Sequence, residues 1–155
     1  MSQNNDTNII AIFHVLLPFD TDSYKPVVVG NCEALGKWET PKVYLRRISN
    51  SALWVSDPVN IPIDLNVEYK YCLVASRAFP KFFTPQLNFE GGRFSNRQME
   101  LRGNVYDVWI DSDKFKSIHP VNENYELINY IYESIKSPDN LKDGIMECQY
   151  ILSKY

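Results

Sequence analysis

Up to about residue 117 the chain is a succession of short β-type runs separated by Pro and Gly, and beyond Pro120 the period becomes helical. The β runs are Ile9 to Leu17, Pro26 to Val29, Val43 to Ile48, Leu53 to Val55, Val67 to Val74, Arg97 to Leu101 and Val105 to Ile110. Val27-Val28-Val29 is β-branched throughout and reads as a buried strand. Seven or eight short strands with turn signals between them predict an all-β sandwich or barrel. Five of the six glycines lie at or before Gly103, where those turns are needed.

The remainder has a different logic. Ile128, Ile131, Tyr132 and Ile135 fall at i, i+3, i+4 and i+7, one face of a helix. Ser137-Pro138 reads as an N-cap followed by proline at the first helical position. Leu141, Ile145, Cys148 and Leu152 then make a second stripe. Two such segments joined by a short turn predict a C-terminal helical hairpin, which divides the chain into a β domain, 1–116, and an extension, 117–155. The β part carries 13 basic and 13 acidic residues, the extension 3 and 6, so the extension holds the whole net charge of −3. Its apolar face needs cover from the β part, a second copy of the chain in a homodimer, or a larger protein.

At 155 residues there is room for one domain with a real core. A net charge of −3 argues against nucleic acid as a partner, since phosphates demand a basic face. No apolar stretch approaches the roughly 20 residues that span a membrane. The opening MSQNNDTN lacks a basic segment and an apolar core of the signal type, and Cys32, Cys72 and Cys148 are odd in number and far apart. Both features predict a cytoplasmic protein with reduced thiols.

The inventory for catalysis is thin. His14 sits in an apolar strand-like run, where a structural histidine is expected, and His119 precedes a proline in the linker. Neither belongs to a triad pattern, and there is no phosphate-cradling glycine loop. The cysteines are too dispersed for a metal site. The expectation is a protein that is not an enzyme and uses no cofactor or metal.

The aromatic inventory is rich, at 14% of residues. Several aromatics have polar neighbours: Trp38 in GKWETP, Phe89 in LNFEGG, Phe94 in GRFSNR. Trp38 lies in a loop between two glycine-marked turns, Gly30-Asn31 and Leu35-Gly36. It is either folded back onto the core or held out as a flat platform. Aromatic faces beside hydrogen-bonding side chains suit a sugar ring, whose C–H face stacks while its hydroxyls seek charged or amide groups.

VVVGNCEALGKWETP, ALWVSD, VEYKYCLV and FEGGRFSNR, in that order, resemble the starch-binding domain, carbohydrate-binding module family 20. The resemblance runs from about Ile9 to Ile110. It implies an antiparallel, immunoglobulin-like β-sandwich of seven to eight strands that binds α-1,4-glucans such as starch, glycogen, maltooligosaccharides or cyclodextrins. It implies too that Trp38 is the first stacking platform, that Lys70 and Asn96 contact sugar hydroxyls, and that Phe89-Glu90 stands where the family has tryptophan and glutamate. Arg97 reads as a structural partner and Trp54, in Leu53-Trp54-Val55, as a core residue.

Two departures bear on the site. A phenyl ring at 89 offers less stacking surface than indole, and Phe82, Phe83 or Phe94 is available to take its place. Tyr24 is only a loose match to the tyrosine of a second glucan site. The function expected is a non-catalytic α-glucan-binding module that docks an associated activity onto polysaccharide. The alternative is a protein-interaction sandwich that has lost sugar binding and assembles through its C-terminal helices.

Overall fold

Val27, Val28 and Val29 are all fully buried because the strand that carries them is covered on both faces. In the computed structural model, which describes residues 7–75, 86–92, 95–117, 128 and 141–154, this strand is β2 (Tyr24–Gly30). Val28 joins the main core, whereas Val27 and Val29 join a separate outer cluster with Cys72 and Val74. Alternation with period two thus sends apolar side chains to both faces, and a run of three valines satisfies both.

Nine strands form one sheet among the described residues: β1 (Asn8–Leu16), β2, β3 (Val43–Arg47), β4 (Leu53–Ser56), β5 (Val59–Pro62), β6 (Glu68–Ala75), β7 (Asn88–Phe89), β8 (Arg97–Gln98) and β9 (Asn104–Val108). The neighbour order is β5-β1-β4-β3-β2-β6-β7, with β8 on β6 and β9 on β1. Pairing is antiparallel, as expected, except that β9 runs parallel to β1 from Ile12↔Asn104 to Leu16↔Val108. A parallel pair needs a long connection, and here the whole intervening chain supplies it. β5 and β7 are additional to the expected strands, and the run from Arg97 to Leu101 pairs over two residues only.

The sheet curls strongly. Phe13 on β1 and Tyr69 on β6 are separated by three strands along the sheet, yet their ring centroids lie 5.3 Å apart. The core fills the concave side with Ala11, Phe13, Val28, Leu45, Ile61, Tyr71 and Trp109 among others. Trp54 is half-buried against this core, while Trp109 is the deeply buried tryptophan, 3% exposed. His14 is a structural histidine: it is buried, its Nδ1 donates to Val105 O at 3.2 Å, and its ring stacks on Tyr106 at 4.5 Å. Burial holds its pKa below the ordinary value of 6.5.

The helix α1 (Leu141–Lys154) packs on the face of the sheet opposite the main core. Its Cys148 and Tyr150 pack with Leu16, Leu53, Tyr106 and Val108, and Ile128 joins the same cluster. Glu147 of α1 pairs with Arg102, whose guanidinium lies 3.8 Å over the Tyr150 ring. The expected stripe divides: Cys148 is buried, but Ile145 is 41% exposed. Ile131, Tyr132, Ile135, Ser137, Pro138 and His119 lie outside the described residues.

Candidate functional site

Beyond β2 the chain makes a 3-10 turn, Glu33–Trp38, whose end leaves helical geometry: φ is +80° at Gly36, +51° at Lys37 and +63° at Trp38. Gly36 takes this conformation without penalty, but for an L side chain it costs about 1–2 kcal/mol per residue. Hydrogen bonds hold the turn: the Lys37 N–H donates to Cys32 O at 3.2 Å, and the Glu39 and Thr40 N–H groups to Gly36 O at 3.0 and 3.1 Å. The indole packs outside the main core, against Val27, Val29, Cys72 and Val74. Trp38 is half-buried, seated on an apolar floor beneath it.

Phe89 reaches the same floor from the other side. On β7 it pairs with Cys72 of β6, and its ring is half-buried in the same cluster. Its centroid is 6.3 Å from the Trp38 indole, with the ring planes inclined at 58°. The two rings therefore form an angled pair.

β6 supplies the polar groups by the same alternation that builds the floor. Tyr69, Tyr71 and Leu73 enter the core, so Glu68, Lys70 and Cys72 take the opposite face. Lys70 is 5% exposed and its Nζ donates to Gly92 O at 2.8 Å. Asn96 is exposed, and its Nδ2 donates to Glu68 Oε1 at 3.0 Å.

Glu90, next to Phe89, has a different part. Its side chain is buried, and its carboxylate accepts from Arg97 Nε at 2.9 Å, Arg97 Nη2 at 2.8 Å, Tyr71 N–H at 3.0 Å and Ile110 N–H at 3.0 Å. Arg97 also reaches Asp107 at 3.1 Å and Val108 O at 2.6 Å. Asp107 Oδ2 in turn accepts from the hydroxyls of Tyr69 and Tyr71, both at 2.7 Å. Burial alone would lower the Arg97 pKa, but Glu90 and Asp107 outweigh it and raise it. Burial raises both tyrosine pKa values well above 10, with the Asp107 charge adding to it. Arg97 is thus the structural partner expected, and Glu90 anchors the loop behind Phe89.

All five residues singled out for the site border one open groove of about 690 Å³: Trp38, Lys70, Phe89, Glu90 and Asn96. Gly91, Gly92, Asp111, Ser112 and Asp113 are its other described lining residues. Phe82, Phe83 and Phe94, the other candidates for a second platform, lie outside the described residues. Tyr24 is elsewhere, in an aromatic group with Phe115, its hydroxyl accepting from Lys114 Nζ. No group of three or more His, Cys, Asp or Glu side chains able to hold a metal occurs among the described residues.

A family model described as the starch binding domain matches residues 10–105. The chain belongs to the starch-binding domain family. As a starch-binding domain it is a non-catalytic, carbohydrate-binding module. Among solved structures, a glycoside hydrolase family 15 glucoamylase from Hypocrea jecorina is 26% identical over 68% of this chain, with a TM-score of 0.53. A γ-CGTase from alkalophilic Bacillus clarkii is 18% identical over 66% of it, with a TM-score of 0.51, a likeness of fold. The starch-binding domain described here corresponds to only 18% and 15% of those two chains. Comparison with curated proteins returned no match.

Sequence reasoning missed two parts of this starch-binding domain. The Asp107 network had one visible signal, a charged residue inside the run Val105 to Ile110, since aspartate is fully buried only when paired. Asp111, Ser112 and Asp113 had none, because a polar turn after a strand reads as an ordinary loop.

Proposed function

We propose that the groove holds an α-1,4-glucan chain, with Trp38 and Phe89 stacking on successive glucose faces and Lys70 and Asn96 engaging hydroxyls. The observation that carries this reading is the angled aromatic pair, 6.3 Å apart and inclined at 58°, with a lysine and an asparagine at its edge. Two inclined planes fit the curvature of a helical glucan better than a flat wall does. Glu90 serves by fixing the loop that carries Phe89. An open groove leaves much of the sugar solvated, so a Kd of roughly 10 to 100 μM is expected, about −7 to −5.5 kcal/mol.

Titration with β-cyclodextrin or maltoheptaose tests this directly. Sugar covering Trp38 changes its emission, and a flat titration to several millimolar with folded protein sinks the reading. The chain corresponds to less than a fifth of a glucoamylase that it resembles, which supports a role in docking an associated activity onto starch or glycogen. Three buried free thiols, Cys32, Cys72 and Cys148, support a reducing, cytoplasmic setting.

For the fold we propose that the curled sheet is an immunoglobulin-like sandwich and that α1 is the second arm of a helical hairpin, with the boundary between domain and extension near residue 117. The shared cluster of Leu16, Tyr106 and Cys148 supports an extension packed on the β part. Assembly through the C-terminal helices, the second reading, has one observation in its favour: Ile145 and Met146 on α1 are 41% and 57% exposed. Sedimentation of the whole chain tests its self-assembling form; a monomer at all concentrations excludes a homodimer.

A further inference from the structure

We propose that Asp111, Ser112 and Asp113 form a selectivity wall through which the groove takes uncharged α-glucan in preference to glucan bearing an anionic substituent. This rests on the glucan reading of the groove given above. The three residues line the groove directly after β9, beside Gly91 and Gly92.

The wall is fixed to the aromatic platform. A Cβ on Gly91 would lie 2.0 Å from Asp111 O, so only glycine permits the loop after Phe89 to approach this closely. The Gly91 N–H donates to Ile110 O at 2.8 Å, and Glu90 Oε1 accepts from the Ile110 N–H at 3.0 Å. The turn itself is braced. The Ser112 N–H donates to Phe115 O at 3.0 Å, and the Phe115 N–H returns to Ser112 Oγ at 3.1 Å. Asp111 Oδ1 accepts from both N–H and Oγ of Ser117, at 2.8 and 2.6 Å.

Charge gives the wall its selectivity. Within the groove, Glu90 is matched by Arg97, and the Lys70 ammonium is nearly covered and turned to Gly92 O. Asp111 and Asp113 are exposed and line the groove beside Gly91, so that its described lining holds two exposed carboxylates against one recessed lysine. Carboxylates accept strong hydrogen bonds from neutral hydroxyls. A phosphate ester on the sugar instead meets like charge, at an energy that salt weakens.

The test compares β-cyclodextrin with its mono-6-phosphate by calorimetry on the whole chain. The uncharged ring is expected to bind roughly three- to tenfold more tightly at about 20 mM salt, with the ratio shrinking as salt rises. In the double variant Asp111→Asn, Asp113→Asn the ratio should fall to about one, since asparagine at 111 still accepts from Ser117. Equal affinities in the native protein, or a ratio that survives in the double variant, overturn the selectivity wall and leave the glucan reading standing. Failure of the uncharged ring to bind folded protein is a different result, and it removes the glucan reading itself.

Discussion

Arg97 grips both carboxylate oxygens of Glu90, at 2.9 and 2.8 Å, one residue beyond the ring that forms half of the aromatic platform. The pair is buried, and Asp107, Tyr69 and Tyr71 close the network around it. Removing one partner strands the others. Arg97→Met is expected to lower stability by about 3 to 5 kcal/mol in urea unfolding, because two carboxylates lose their counter-charge. Arg97→Lys should recover only part of this, as an ammonium cannot bond both oxygens in the fork geometry. Full recovery by lysine would show that charge alone matters there.

The platform and the core separate by mutation. Trp38→Ala should abolish retention on insoluble starch while costing less than about 2 kcal/mol, since the indole is half-buried. Trp109→Ala removes a tryptophan that is 3% exposed, and about 3 to 5 kcal/mol is expected to go with it. Equal destabilisation by the two substitutions would place Trp38 in the core and remove its role as a platform.

Backbone geometry at Trp38 reverses a common ranking. Alanine ordinarily stabilises relative to glycine, but at φ +63° an L side chain is strained. Trp38→Gly should therefore be more stable than Trp38→Ala, by about 1 kcal/mol. Thermal unfolding of the two variants reads the sign; alanine the more stable would show that the turn relaxes once the indole is gone.

Phe89→Trp should tighten binding of β-cyclodextrin two- to fivefold. The larger ring adds some 20 to 40 Å² of apolar contact, or roughly 0.5 to 1 kcal/mol at about 25 cal/mol per Å². Phe82→Trp and Phe94→Trp are expected to leave affinity near the parent value. Tightening by either of these and none by Phe89→Trp would move the second platform to Phe82 or Phe94.

His14 predicts a pH dependence. Its pKa is lowered by burial from 6.5, so the unfolded chain binds the proton more readily than the folded one. The stability linked to this group is complete above pH 6.5 and declines as pH falls through 6.5 toward the folded pKa, below which it levels off. The slope in that window is at most about 1.4 kcal/mol per pH unit. His14→Asn removes this contribution, so its urea midpoint should change less between pH 7.5 and 5.5. Identical slopes for the two proteins would show that burial does not perturb His14.

What the sequence made legible, and what it hid, follows from how far each feature depends on local pattern. Three consecutive valines announced β2 because burial on both faces needs nothing else nearby. β5, Val59–Pro62, was hidden: four residues containing Asn60 and a proline carry no period. Order and resemblance picked out five residues that border one groove, but not the buried network in which Glu90 is held. Glu90 turned out to be spent on Arg97 and two backbone N–H groups, an arrangement fixed only when β7, β8 and β9 converge. The angle between Trp38 and Phe89 depends on a left-handed turn for which Gly36 was the sole local sign.

The parallel pairing of β1 with β9 has a kinetic consequence. His14 and Val105 touch across 91 positions of chain, and closing a loop of that size costs about 4 kcal/mol of entropy before the contact gives anything back. Topologies dominated by such distant contacts fold in milliseconds to seconds rather than microseconds. During synthesis the β9-facing edge of β1 has no partner until residues 104–108 have left the ribosome. Through that interval the segment Ile12 to Leu16 is a bare strand edge, the kind of surface to which another chain can add.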